Sequence, residues 1–175
     1  REVRDEAHAL HTEIDLSQLR CADRVNLRRA MRSIGTLGGG NHFIEVDRAE
    51  DGRLFLVVHS GSRHLGTEVA GFYQDEGRRA LWGGARHQIQ AVIAGMKAEG
   101  RSQEIQKTIQ ALRREHDLRI PGDLAYVEGA LFDDYLHDMK LTQRFAALNR
   151  RAVVDVILSG MGLTPVDAFT TIHNY

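Results

Sequence analysis

The chain has 175 residues, 42% of them hydrophobic, enough for one domain with a real core. Twenty-three Lys and Arg against 24 Asp and Glu leave a formal net charge of −1, so no global field recruits nucleic acid and any nucleic-acid contact must rest on a local patch. The single cysteine, Cys21, excludes an internal disulfide and fits a reducing cytoplasm, and no apolar run reaches membrane-spanning length.

Arg1 to Glu6 is too charged for a signal peptide. Residues 1 to about 32 are polar, and Asp23 to Met31 has the spacing of a short amphipathic helix. Arg24, Arg28, Arg29 and Arg32 make this the most basic stretch, and a solvated helix face is the ordinary use of such a charge run. His8 and His11 have no partner in the sequence and read as surface residues.

The next run, Thr36-Leu37-Gly38-Gly39-Gly40-Asn41-His42-Phe43-Ile44-Glu45, organises the chain together with Val57-Val58-His59-Ser60-Gly61-Ser62-Arg63-His64-Leu65-Gly66. Each sets a histidine beside glycines and small polar residues at one end of an apolar run. Consecutive glycines free the backbone to take positive φ and let a ligand approach main-chain N–H groups, a phosphate-cradling arrangement. Asp51-Gly52 between the two runs signals a β-hairpin. A loop of residues 49–52 sets His42 directly opposite His59, with Cβ atoms about 5 Å apart, near enough for both imidazoles to bind one metal ion or two adjacent ones. A two-residue loop keeps them diagonal neighbours on one face, whereas a three-residue loop splits them.

Beyond the hairpin, Thr67 is placed to cap a helix that ends near Gly83-Gly84, carrying Val69, Phe72 and Tyr73 inward. Its N-terminus points unpaired N–H groups at the histidines, and Arg63 adds a bidentate grip on phosphate. Residues 85–118 read as two helices separated by Gly100, a helical excursion with narrow apolar stripes. Pro121-Gly122 is a turn. From Leu131 to Leu158 apolar residues recur at helical spacing, in one bent helix or two, with Asn149-Arg150-Arg151 as the polar exception and the place to look for a buried polar anchor. Gly160-Met161-Gly162 ends that helix, and Phe169 to Ile172 reads as a short strand delivering His173. The expected fold is α/β: a mixed or antiparallel sheet with the histidine-bearing hairpin and helices packed around it, in one domain over 1–175 with the excursion at 85–118.

Three histidines near glycine loops and an arginine suggest metal-assisted phosphoryl chemistry, with manganese, zinc or iron suited to imidazole nitrogen. Three motifs, Gly-Thr-Leu-Gly-Gly-Gly-Asn-His-Phe-Ile-Glu at 35–45, His-Ser-Gly-Ser-Arg at 59–63 and Ile-His-Asn-Tyr at 172–175, resemble the signatures of the RtcB family of RNA-splicing ligases. Asp123-Leu124-Ala125-Tyr126, Asp133-Asp134-Tyr135-Leu136 and Leu148-Asn149-Arg150 fall in the family's order.

The resemblance implies a ligase that joins an RNA 3′-phosphate or 2′,3′-cyclic phosphate end to a 5′-hydroxyl, using GTP and two Mn²⁺ ions through a guanylylated histidine. It implies that His42 binds one Mn²⁺ while His59 and His173 bind the second. Asn41, Phe43, Ile44, Glu45, His173 and Asn174 would belong to the guanylate pocket, Asn41 also taking part in the chemistry, and Arg63 would face the RNA phosphate. The family's Asp-x-Gly-Cys-Gly segment, whose cysteine bridges the metals, has no counterpart in residues 1–35, and Cys21 in Leu-Arg-Cys-Ala-Asp is not that cysteine. The histidine that accepts guanylate lies beyond Tyr175 in the family's order. A piece of a longer protein is therefore expected, one that holds metal weakly, does not ligate alone and exposes apolar surface. The competing readings are a metal-dependent phosphoesterase and a non-catalytic RNA-binding fragment. Nothing in the sequence fixes the RNA substrate or the oligomeric state.

Overall fold

Helices dominate the computed structural model, which describes residues 3–115 and 121–171. Three short 3-10 turns, Ala9–Glu13, Leu16–Gln18 and Ala22–Arg24, lead into α1 (Leu27–Ser33), then β1 (Phe43–Arg48), β2 (Leu54–His59), α2 (Arg63–Ala98), α3 (Ile105–Glu115) and α4 (Gly129–Met161). The α/β expectation is corrected to a mostly helical fold with a two-stranded antiparallel hairpin. Only residues 43–59 combine a turn signal with flanking β-branched and aromatic residues, and among the described residues no third strand joins either edge. No helix among them is long and apolar enough to cross a membrane.

The first helix starts later than expected because Asn26 sets its beginning: its side-chain oxygen accepts from the Arg29 N–H at 2.9 Å. The hairpin also departs from the expected register. Phe43, not His42, pairs with His59. Ala49 N–H donates to Arg53 O and Gly52 N–H to Ala49 O, both at 2.9 Å, which closes a loop of residues 50–52. Gly52 at φ +85° supplies the left-handed residue that such a three-residue loop requires.

Helix α2 begins at Arg63, ahead of Thr67, and runs straight through Gly83-Gly84. Each of those glycines costs a helix only about 1 kcal/mol relative to alanine. The effective stop is Gly100 at φ +74°, where Gly100 N–H bonds Lys97 O at 3.2 Å and Arg101 N–H bonds Met96 O at 2.8 Å, the paired closure of a Schellman cap. The same device ends α4, with Gly162 N–H on Ser159 O at 3.2 Å and Leu163 N–H on Leu158 O at 2.9 Å. The periodic stripe from Leu131 to Leu158 thus forms one helix. Residues 169–171 are not a strand, and Ile172 lies outside the described residues.

Packing divides the chain into two units, one of Arg1–Ala70 with Asp134–Tyr175 and one of Gly71–Asp133. In the first, Leu16, Ile34, Leu65 and Phe145 are fully buried, and Asp138, equally buried, accepts from the N–H groups of Arg20 at 2.7 Å and Cys21 at 3.1 Å. Burial of Cys21 first, then the Asp138 carboxylate beside it, push the Cys21 thiol up to about 12. In the second unit, Gly77 lets the backbone of Tyr126 lie against α2, so close that a Cβ there would sit 2.6 Å from the Tyr126 oxygen. Arg78 Nε donates to Gly122 O at 3.0 Å and holds the same segment.

Candidate metal centre

Two loops carry the candidate ligands, and one side chain ties them together. Gly35, at φ +79°, turns the chain after α1 so that its N–H and that of Thr36 both reach Asn149 Oδ1, at 2.9 and 3.3 Å. Asn149 Nδ2 donates to Ser60 Oγ at 3.0 Å and to Gly61 O at 3.1 Å. Ser60 Oγ in turn donates to Leu37 O at 2.7 Å, closing the loops on each other. The polar exception on the α4 stripe is thus a buried anchor between the glycine run and the His-Ser-Gly run.

The anchored loops bring two histidines together. The His42 and His59 ring centroids are 6.0 Å apart with planes tilted by 39°. The three-residue loop was expected to split this pair. It does not, because His42 precedes the first residue of β1 and is free of strand alternation, while Phe43 stacks on His59 at 5.0 Å.

Arg63 completes the cluster. It opens α2 in the left-handed region, at φ +55°, and its Nε donates to Thr36 Oγ1 at 3.0 Å, whose hydroxyl donates to Ser33 O at 2.6 Å. Gly38, at φ +100°, makes room for both neighbours: a Cβ there would collide with the Arg63 guanidinium and lie 2.5 Å from His42 Nδ1. His42 Nδ1 is itself buried with no hydrogen-bond partner. Leaving such an atom unsatisfied costs about 1–3 kcal/mol. Desolvation first, then the Arg63 charge and His59, hold the His42 imidazole below its ordinary value of 6.5, in the neutral form that ligates metals.

An orphaned, neutral imidazole nitrogen beside a second imidazole fits a cation that prefers nitrogen donors. Their spacing leaves room for one ion between the rings or one on each. Among the described residues no group of three or more His, Cys, Asp and Glu side chains forms a ready cluster. His173 and Asn174 lie outside the described residues. Asn41, Phe43, Ile44 and Glu45 are all exposed, and strand alternation puts Ile44 on the face opposite Phe43 and Glu45. His64 pairs with Glu68 at 3.4 Å on α2 and takes no part. Thr36 and Ser60 were not singled out from the sequence. Small hydroxyl residues flanking glycine runs were the available signal.

A family model described as tRNA-splicing ligase RtcB matches residues 2–163. The RNA-splicing ligase RtcB of Escherichia coli strain K12 is 30% identical over 132 residues, which cover 74% of this chain and 25% of that protein. The tRNA-splicing ligase RtcB of Aeropyrum pernix is 38% identical over 60 residues, covering 26% of this chain and 12% of that protein. The chain spans about a quarter of the length of the Escherichia coli relative. No solved structure gives a significant match.

Proposed function

Because the chain belongs to the RtcB family of tRNA-splicing ligases, we propose that it carries part of the metal and guanylate site of a GTP- and Mn²⁺-dependent RNA ligase. The reaction would join 3′-phosphate or 2′,3′-cyclic phosphate ends to 5′-hydroxyl ends. The observation that supports this reading is the buried, unpartnered His42 Nδ1, set beside His59 on loops that a single asparagine anchors.

In this reading His42 holds one Mn²⁺, and His59 with His173 holds the second. Bound Mn²⁺ supplies Lewis acidity toward a phosphoryl oxygen and alignment for an in-line displacement. The remaining work falls to the chain's own residues. Thr36 fixes the Arg63 Nε, which sets the guanidinium beside His42 to grip a phosphate of the RNA end in two places. Asn41, Phe43, Ile44 and Glu45, all exposed, would contribute to the guanylate pocket together with His173 and Asn174, Ile44 from the face of β1 opposite Phe43 and Glu45. Phe43, stacked on His59, fixes that imidazole's plane.

The test is metal retention. Protein loaded with Mn²⁺, passed through a desalting column and assayed by elemental analysis should retain manganese, and His42→Ala should retain several-fold less. Equal retention by both would sink the assignment. Labelled GTP transferred to a protein of the relatives' length separates a ligase from a phosphoesterase, which would take up no label.

A further inference from the structure

Two adjacent side chains on α4 reach three segments that lie far apart in the sequence. Asn149 is fully buried and spends its whole hydrogen-bonding capacity on two of them: two N–H groups of the glycine run on its oxygen, and Ser60 Oγ and Gly61 O on its amide. Arg150 reaches the third. Its Nη1 donates to Ser60 O at 3.2 Å, its Nε and Nη2 to Thr170 Oγ1 at 3.0 and 2.7 Å, and Nη2 also to Thr171 O at 3.3 Å.

We propose that Asn149 and Arg150 are positioning residues of the metal centre, setting the mutual placement of the segments that carry His42 and His59 and of the backbone at Thr170-Thr171. The proposal rests on the reading above that these histidines hold metal. Ser60 directly follows His59, and Thr171 stands two residues ahead of His173 in the sequence. The glycine run that leads to His42 is tied to Asn149 by the Gly35 and Thr36 N–H groups and, through Ser60 Oγ, at Leu37 O.

Chemistry, not bulk, selects these residues. A leucine would fill the Asn149 site yet take away the acceptor of Gly35 N–H and the amide donor to Gly61 O, while Thr36 N–H would keep only its bond to Ser33 O. A lysine at 150 would keep the charge but lose the planar fork that bridges Ser60 O and Thr170. Because both residues project from one turn of a single helix, the three segments are referred to one rigid frame. Ligand placement at a metal site must hold to about 0.5 Å, which separately moving loops do not provide.

The experiment compares Co²⁺ uptake, followed by its d–d absorption, with thermal unfolding followed by circular dichroism, on the full 175-residue chain. Arg150→Lys and Asn149→Asp are the test variants. Arg151→Lys, which alters exposed pairs with Glu13 and Asp155, is the control. Arg150→Lys should unfold within a few degrees of the parent yet bind Co²⁺ about tenfold or more weakly, the size of effect usual for groups that orient metal ligands. Its absorption bands should also change shape, which mere loss of stability does not produce. Asn149→Asp keeps the acceptor for Gly35 and Thr36 but sets an oxygen against Gly61 O, and should show the same signature; if it fails to fold, Arg150→Lys decides alone. Parent-like affinity and bands in Arg150→Lys overturn the positioning role and leave the metal centre standing. A parent chain that takes up no Co²⁺ overturns the metal reading and the positioning role with it.

Discussion

At residue scale, Gly38 carries the sharpest prediction. A methyl group there collides with the Arg63 guanidinium and crowds His42 Nδ1, and the positive φ strains any other residue by about 1–3 kcal/mol. Gly38→Ala should lower the unfolding midpoint and abolish manganese retention together, whereas Gly39→Ala, whose Cβ meets nothing within 4 Å, should change neither much. His8 makes a pH prediction. Its Nδ1 accepts from Leu10 N–H at 3.2 Å, and desolvation, then the Arg4 charge, hold its pKa below 6.5. The unfolded chain therefore takes up the proton first as pH falls. Stability from this group is fully present above 6.5 and is lost as pH drops from there toward the lowered folded value. A pH series of unfolding midpoints should show that loss, and His8→Gln should flatten it. Cys21, raised to about 12 and buried, should react with a thiol reagent at pH 8 only when the chain unfolds. Rapid labelling of the folded chain would contradict its burial.

At element scale, the sequence readings succeeded where a residue type has one structural use and failed where two effects compete. The hairpin follows from Asp51-Gly52, but its register does not: loops of three and four residues both suit that pair, and Gly52's left-handed backbone favours the shorter. Gly83-Gly84 looked like a helix end, yet helix stops depend on carbonyl partners, and those appear only at Gly100. Phe169 to Thr171 has strand composition but, among the described residues, no neighbouring strand, and Thr170 and Thr171 bond Arg150 instead. Asn149 was visible as a polar break in an apolar stripe. Its four partners were not, because they come from loops remote in the chain. Packing of the element 121–126 on α2 makes a prediction of its own. Gly77→Ala drives a methyl into the Tyr126 carbonyl and should cost about 1–3 kcal/mol, read as a drop in the unfolding midpoint.

At the scale of the molecule, a formal net charge of −1 supplies no global field for nucleic acid. The hairpin leaves Val46 and Leu54 at 64% and 63% exposure, with Phe43, Ile44 and Phe55 also exposed, and among the described residues no further strand pairs with either edge. The chain should therefore bind a hydrophobic dye at the hairpin, and Val46→Lys with Leu54→Lys should reduce that signal without lowering the unfolding midpoint. Alternation explains why: these two side chains touch no core.

The central claim is that His42 and His59 face manganese. Anomalous diffraction at the manganese edge, from crystals of the chain soaked in Mn²⁺, tests it most directly. The account predicts a peak within coordination distance of an imidazole nitrogen of His42 and another, or the same one, against His59. Peaks confined to surface carboxylates, with both rings bare, would contradict it.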